Sequence, residues 1–182
     1  MIDRRAFLLG LFATAAARPA LAQALLASDP LLVAAFQGDT LAARRMLING
    51  KSPNTSDNDD RSALMWAVIS GHADTAAEII SFKPRLDAAD SFGNTALYYA
   101  ADRGDPGLID LLVGAGANVN AENRQGHTPL IAAARKGAEP AVRRLLAAHA
   151  DVRHTDYTGK TALDIAREGR SPSVQRLLES VR

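Results

Sequence analysis

Four histidines are the first candidates for chemistry in this chain of 182 residues. They stand at His72, His127, His149 and His154, and no pair has the spacing that would place two imidazoles on one helix face. The sequence contains no cysteine. Because a structural zinc site needs several imidazole or thiolate ligands that converge, we predict no metal site and no cofactor. Disulfides and thiol catalysis are excluded by composition.

Two further stretches invite a chemical interpretation and are better explained as turns. The segment NTSDNDD (54–60) is dense in oxygen ligands, but it lacks the glycine and the final glutamate of a calcium-binding loop. The segment GAGAN (114–118) lacks the lysine and hydroxyl residue of a phosphate-binding loop. No nucleophile, base and acid are grouped in the sequence. We therefore expect no enzyme activity, and a hydrolase or small-ligand binder is the disfavoured alternative.

The N-terminus has the pattern of a signal peptide at residues 1–22. A basic start at Arg4 and Arg5 precedes an uncharged apolar run (6–17), and Ala-Leu-Ala at 20–22 predicts cleavage before Gln23. The pair Arg4-Arg5 followed by Ala-Phe-Leu resembles a bacterial twin-arginine signal. This resemblance implies export in the folded state to the periplasm or the medium. The general secretory route, a buried helix and a membrane anchor remain alternatives; after cleavage we expect no stable membrane insertion.

From Asp57 onward the sequence repeats with a period of 33 residues. The units are 57–89, 90–122, 123–155 and a shortened 156–182, and a looser match precedes them at about 24–56. A fixed period of this length is typical of solenoids, in which each unit buries its apolar face against the next.

Each unit predicts a pair of helices. N-capping residues precede the first helix, and glycines that favour a left-handed conformation follow it. Prolines in the first turn start the second helix. These positions are Ser62, Thr95, Thr128 and Thr161; Gly71, Gly104, Gly137 and Gly169; and Pro106, Pro140 and Pro172. His149 replaces a turn glycine, so we expect it to be left-handed.

This pattern resembles the ankyrin repeat over residues 29–182. The resemblance implies an all-α solenoid of stacked helix pairs with short projecting β-hairpins, formed by residues 23–182 as one domain with capping units at both ends. A histidine common in that family is absent after the leucine of every unit.

The ankyrin resemblance also implies a concave groove, made of hairpin tips and first helices, that binds another protein. Trp66 and Tyr99 could instead pack between repeats, since large aromatic side chains are mostly buried. The partner-binding residues that the resemblance implies are Arg61, Trp66, Ile69, Phe92, Asn94, Tyr99, Asp102, Arg103, Arg124, His127, Arg135, Lys136, Tyr157 and Lys160.

Charge and composition narrow the class of partner. The formal net charge is +1 and no basic block occurs, which disfavours nucleic acid. We therefore expect a monomeric binding protein with a protein partner. A helper, inhibitor or immunity protein for an exported enzyme or toxin is the alternative function.

Overall fold

The computed structural model describes residues 29–181, where ten α-helices form five consecutive pairs. The predicted signal at 1–22 and its cleavage site lie outside the described residues. The first helices of the pairs are α1 (Pro30–Gln37), α3 (Ala63–Ser70), α5 (Ala96–Arg103), α7 (Pro129–Lys136) and α9 (Ala162–Glu168). The second helices are α2 (Thr40–Ile48), α4 (Ala73–Ser81), α6 (Pro106–Gly114), α8 (Glu139–Ala147) and α10 (Pro172–Glu179).

The helix pairs stack in two layers. Each first helix packs against the first helices of the neighbouring pairs, and each second helix packs against its counterparts. The first helices begin at 30, 63, 96, 129 and 162, so the structural period is the 33 residues of the sequence repeat. This arrangement confirms the predicted all-α solenoid. Within 29–181, none of the helices has the length and apolar character needed to cross a bilayer.

The helix ends follow from the capping residues that the sequence supplies. The hydroxyl of Ser62 accepts a hydrogen bond from the backbone N–H of Met65 at 3.2 Å, and Thr95, Thr128 and Thr161 cap their helices in the same way. Gly71, Gly104 and Gly137 then end their helices with φ of 81°, 74° and 70°. Only glycine adopts these left-handed angles without steric cost, so these predicted ends are confirmed.

The predicted left-handed cap at Gly169 is wrong. Gly169 has φ of −71°, and Arg170 has φ of 52° instead. The reason lies in the spacing: Arg170, not Gly169, stands nine residues after its N-cap, as Gly137 stands nine residues after Thr128. His149, with φ of 62°, adopts the expected left-handed conformation.

The core is a continuous stripe of leucine, isoleucine and alanine between the layers. Leu97, Leu112 and Leu130 have at most 1% of their surface exposed. A small residue recurs where first helices meet, because short side chains allow the helix axes to approach closely. These fully buried residues are Ala67, Ala100, Ala133 and Ala166.

The expected β-hairpins are short turns in the structure. Among residues 29–181, β-pairing is limited to two isolated antiparallel bridges, Ser56 with Ser62 and Thr155 with Thr161. Five-residue turns project between these flanking positions, and they form the candidate site.

Candidate functional site

Four five-residue turns, which we call the tips, precede α3, α5, α7 and α9. They comprise residues 57–61, 90–94, 123–127 and 156–160. In each tip the first residue donates its backbone N–H to the carbonyl of the fifth, at 2.9–3.1 Å. Its side-chain Oδ1 accepts hydrogen bonds from the N–H groups of the third and fifth residues at 2.8–3.0 Å. An aspartate or asparagine at this position therefore sets the shape of the tip.

In the first two tips, an aromatic residue of the following helix binds the other oxygen of this aspartate. The indole Nε1 of Trp66 donates to Oδ2 of Asp57 at 3.0 Å, and the hydroxyl of Tyr99 donates to Oδ2 of Asp90. Burial, aided by the hydrogen bond to Asp90, raises the pKa of Tyr99 far above its usual value. The hydroxyl therefore keeps its proton and remains a donor.

In the last two tips, the side chain of the first residue contacts a side chain of the preceding tip instead. Asn123 donates from Nδ2 to Oδ1 of Asn94 at 2.8 Å. Asp156 places Oδ2 3.4 Å from Nε2 of His127. The hydroxyl of Thr158 also donates to Asp156 at 2.6 Å, and this bond lowers the pKa of the carboxyl to about 2.

Backbone hydrogen bonds join neighbouring tips into one row. Ser91 donates its N–H to the carbonyl of Asp59 at 2.9 Å, and Arg124 donates to Phe92 at 3.0 Å. Tyr157 donates to the carbonyl of Gln125 at 3.1 Å. The four tips therefore form a continuous edge whose backbone segments have fixed relative positions. We call this edge the tip row.

The tip row exposes two aromatic side chains with an arginine between them. Phe92 is 36% exposed and Tyr157 is 69% exposed. Tyr157 lies against Gly126, where an added Cβ would come within 2.6 Å of the tyrosine ring, so a side chain at 126 would displace it. Arg124 is exposed, and no described carboxylate in 29–181 forms an ion pair with it.

Lys160 and Asn94 occupy the fifth position of their tips. Lys160 forms an ion pair with Glu168 at 2.8 Å, and this interaction raises the pKa of the lysine. Asn94 donates from Nδ2 to the hydroxyl of Tyr99 at 3.3 Å. Both residues are partly buried.

Charged residues near the ends of the first helices connect successive units. Arg103 donates from Nη1 to the carbonyl of Ile69, in the preceding unit, at 2.8 Å. Arg135 donates from Nη2 to Asp102 at 2.8 Å and to the hydroxyl of Tyr98 at 2.9 Å. These residues thus stabilise the stack, and the sequence pattern did not indicate this role.

Two further predicted residues, Lys136 and His127, lie on α7 and in the tip that precedes it. Lys136 is exposed next to Arg135. Burial, together with the charge of Arg135, lowers the pKa of His127.

Two residues predicted to contact a partner are buried. Trp66 is 3% exposed, with its ring edge-on to Phe36 at a centroid distance of 5.7 Å. Arg61 is 8% exposed; its guanidinium lies 5.2 Å from the Trp66 ring centroid and pairs with Asp59 at 2.9 Å. The prediction that these two side chains offer contact surface is corrected, because the bond to Asp57 holds the indole beneath the tip. For the other twelve predicted residues, partner binding stays a prediction.

Two of the histidines contact the backbone carbonyl of a residue that lies well before them in the chain. His72 places Nε2 3.2 Å from the carbonyl of Phe36, and His154 places Nε2 2.9 Å from that of Gly126. Across residues 29–181 there is no group of three or more histidine, aspartate or glutamate side chains arranged to hold a metal ion.

Comparison with known proteins identifies similar sequences. The family model described as ankyrin repeats (three copies) matches residues 31–123 and 100–181. A human protein, ankyrin repeat domain-containing protein 63, is 34% identical over 85 residues. This match covers 47% of the present chain and 21% of the human protein, so it spans about a fifth of that relative.

Proposed function

Because the chain belongs to the ankyrin-repeat family, we propose that it is an exported protein that binds another protein and performs no catalysis itself. Ankyrin repeats imply protein binding in general and are typically non-catalytic. The observation that carries the proposal is the tip row, in which Phe92, Arg124 and Tyr157 are exposed on a hydrogen-bonded edge.

The composition and rigidity of this edge favour recognition. Aromatic side chains and arginine are the residue types in which binding energy is concentrated. Because backbone hydrogen bonds fix the tips relative to one another, little conformational entropy is lost when a partner binds. The exposed aromatic rings therefore offer contact area that is already positioned.

Export is the second part of the proposal and rests on the sequence. The basic pair Arg4-Arg5, the apolar run that follows and the Ala-Leu-Ala before Gln23 support delivery to the periplasm or the medium. Replacing both arginines by lysine should block export through the twin-arginine route. Mass spectrometry of the exported protein should find Gln23 as its first residue. Retention of residues 1–22 in exported material would contradict the proposed cleavage.

Capture of a partner from a periplasmic extract tests the binding proposal. The full-length chain and its Phe92→Ala, Tyr157→Ala and Arg124→Ala variants would be compared, with bound proteins identified by mass spectrometry. We expect each variant to weaken binding of the same protein by more than about 1 kcal/mol. Circular dichroism would verify that each variant is folded.

Arginines on the second helices provide matched controls. Arg44 and Arg144 are exposed and pair with Glu78 at 3.7 Å and Asp110 at 3.4 Å. Their alanine variants should bind the partner normally. If these variants lose the partner while the tip variants keep it, the binding surface lies on the second helices and the proposal fails.

A further inference from the structure

Charge changes sign along the surface formed by the tips and first helices. The first tip (57–61) and α3 together carry three aspartates and one arginine. The third tip (123–127) and α7 carry three cationic side chains, Arg124, Arg135 and Lys136, and no carboxylate. The surface is therefore acidic at the second unit and basic at the fourth.

Nearby carboxylates pair with several cations of this region, but none of the described ones pairs with Arg124. Asp102 pairs with Arg135 at 2.8 Å, and Glu168 pairs with Lys160 at 2.8 Å. Glu122 lies 3.5 Å from Nε2 of His154. Arg124 is left exposed without an ion pair to any described carboxylate of the chain.

Arg124 lies between the two exposed aromatic residues. Its N–H bonds to the carbonyl of Phe92 on one side, and Gln125, its chain neighbour, accepts from the N–H of Tyr157 on the other. A cation flanked by two apolar surfaces fits a ligand that places a carboxylate between large apolar side chains. A basic segment would meet uncompensated like charge here.

We propose that the partner presents an acidic segment with large apolar side chains, and that this segment docks on the basic part of the tip row. This basic part comprises Phe92, Arg124 and Tyr157 in the tips, with Arg135 and Lys136 on α7. The inference rests on the proposed function and specifies the chemistry of the partner. The acidic second unit sets the direction of docking, since the carboxylate-rich end of the segment avoids Asp59 and Asp60.

Selection from a randomised peptide library tests the inference with a defined probe. Peptides displayed on phage would be selected on the full-length chain, and a selected peptide would be synthesised with a fluorescent label. We expect the selected pool to contain at least twice the aspartate and glutamate of the input library, together with aromatic or aliphatic residues. Binding of the labelled peptide should weaken several-fold when the salt concentration rises from about 50 mM to about 500 mM.

Charge reversal provides the matched comparison. Arg124→Glu should weaken peptide binding at least about fivefold, the equivalent of roughly 1 kcal/mol. Arg45→Glu is the control, because Arg45 is also exposed and without an ion pair among the described residues, but it lies on α2. Its effect should stay below twofold.

The outcomes separate this inference from the proposed function. Selected peptides that depend on Phe92 but have no excess of acidic residues would overturn the acidic-partner inference and leave the binding surface intact. Equal losses for Arg124→Glu and Arg45→Glu would also overturn it. If no selected peptide loses affinity on Phe92→Ala or Tyr157→Ala, the surface itself is wrong and both proposals fail.

Discussion

The two halves of the tip row hold the side chain of each tip's first residue through different partners. In the tips 57–61 and 90–94, the leading aspartate is bound by Trp66 or Tyr99 from the same unit. In the tips 123–127 and 156–160, the corresponding contact runs to the preceding tip. The helix positions equivalent to Trp66 and Tyr99 are Ala132 and Ile165, which cannot donate such a bond.

One repeat pattern can therefore use its aromatic residues either for stability or for recognition. In the first half, Trp66 and Tyr99 lie on the helices beneath the tips, and each donates a hydrogen bond to the leading aspartate of its own tip. In the second half the tips support one another, and the aromatic residue, Tyr157, stands at the exposed turn. We therefore expect stability to depend on the helix aromatic residues Trp66 and Tyr99, and binding to depend on the tip aromatic residues Phe92 and Tyr157.

The largest effect is expected for Trp66→Ala. The substitution removes a side chain that is 3% exposed, its edge contact with Phe36 and the donor to Asp57. Loss of a buried aromatic residue destabilises proteins by about 3–5 kcal/mol. Chemical denaturation of the full-length chain would measure this change in the free energy of unfolding.

The matched control for Trp66→Ala is Tyr157→Ala at the exposed tip. It should change stability by no more than about 0.5 kcal/mol, as surface substitutions do. Similar losses for both variants would show that the two halves of the tip row do not differ as described.

A smaller effect is expected for Tyr99→Phe, which deletes one hydroxyl. Asp90, which is 4% exposed, then loses the donor to its second oxygen. An unsatisfied buried group costs about 1–3 kcal/mol. Thermal unfolding of Tyr99→Phe and of Tyr157→Phe should show a clear loss for the first and almost none for the second. An unchanged midpoint for Tyr99→Phe would mean that the bond to Asp90 contributes nothing to stability.

A pH dependence is expected from the second half of the row. Burial and Arg135 lower the pKa of His127 in the folded protein below the ordinary 6.5, so folding favours the neutral imidazole. This contribution is present above pH 6.5 and is lost as pH falls through the folded pKa. The contribution of Asp156, whose pKa is about 2, is lost only below about pH 4.

Measurements between pH 7.5 and 5 therefore test His127 without a contribution from Asp156. The stability of the unmodified chain should fall more steeply over this range than that of His127→Gln. Gln125→Ala, an exposed position in the same tip with no titratable group, is the control and should follow the unmodified chain. Identical slopes for the unmodified chain and His127→Gln would refute the role of this histidine.

A small effect on stability is expected for Phe92→Ala. The ring is 36% exposed, so its removal should cost about 0.5 kcal/mol or little more. The same substitution should weaken partner binding by more than about 1 kcal/mol. Denaturation and calorimetric titration on one preparation would compare the two losses. A stability loss larger than the binding loss would assign Phe92 to the core.

The regular features of the fold could be predicted because they depend on local physics. The N-caps, such as Ser62 and Thr128, and the left-handed glycines 71 and 104 follow from residue type and spacing. The error at Gly169 arose where the spacing breaks, because the conformation belongs to the position nine residues after the N-cap and Arg170 occupies it.

The candidate site was harder to predict because it depends on contacts between units. Trp66 and Tyr157 are both large aromatic residues, and contacts between units separate them, since Trp66 packs against Phe36 of the preceding unit while Tyr157 lies at an exposed tip. The contact of Arg135 with Tyr98 and Asp102 joins residues more than 30 positions apart. No local pattern specifies such a contact, although the aspartate that begins a tip and an aromatic residue nine positions later together offered a usable signal.

Hydrogen–deuterium exchange of the full-length chain, with and without its captured partner, would locate the binding surface. Amide exchange reports which segments become protected on binding. If the tip row binds the partner, we expect slower exchange at the tips 90–94, 123–127 and 156–160, with little change in the second helices α4, α6 and α8. Protection confined to those second helices, with exchange at the tips unchanged, would contradict binding at the tip row.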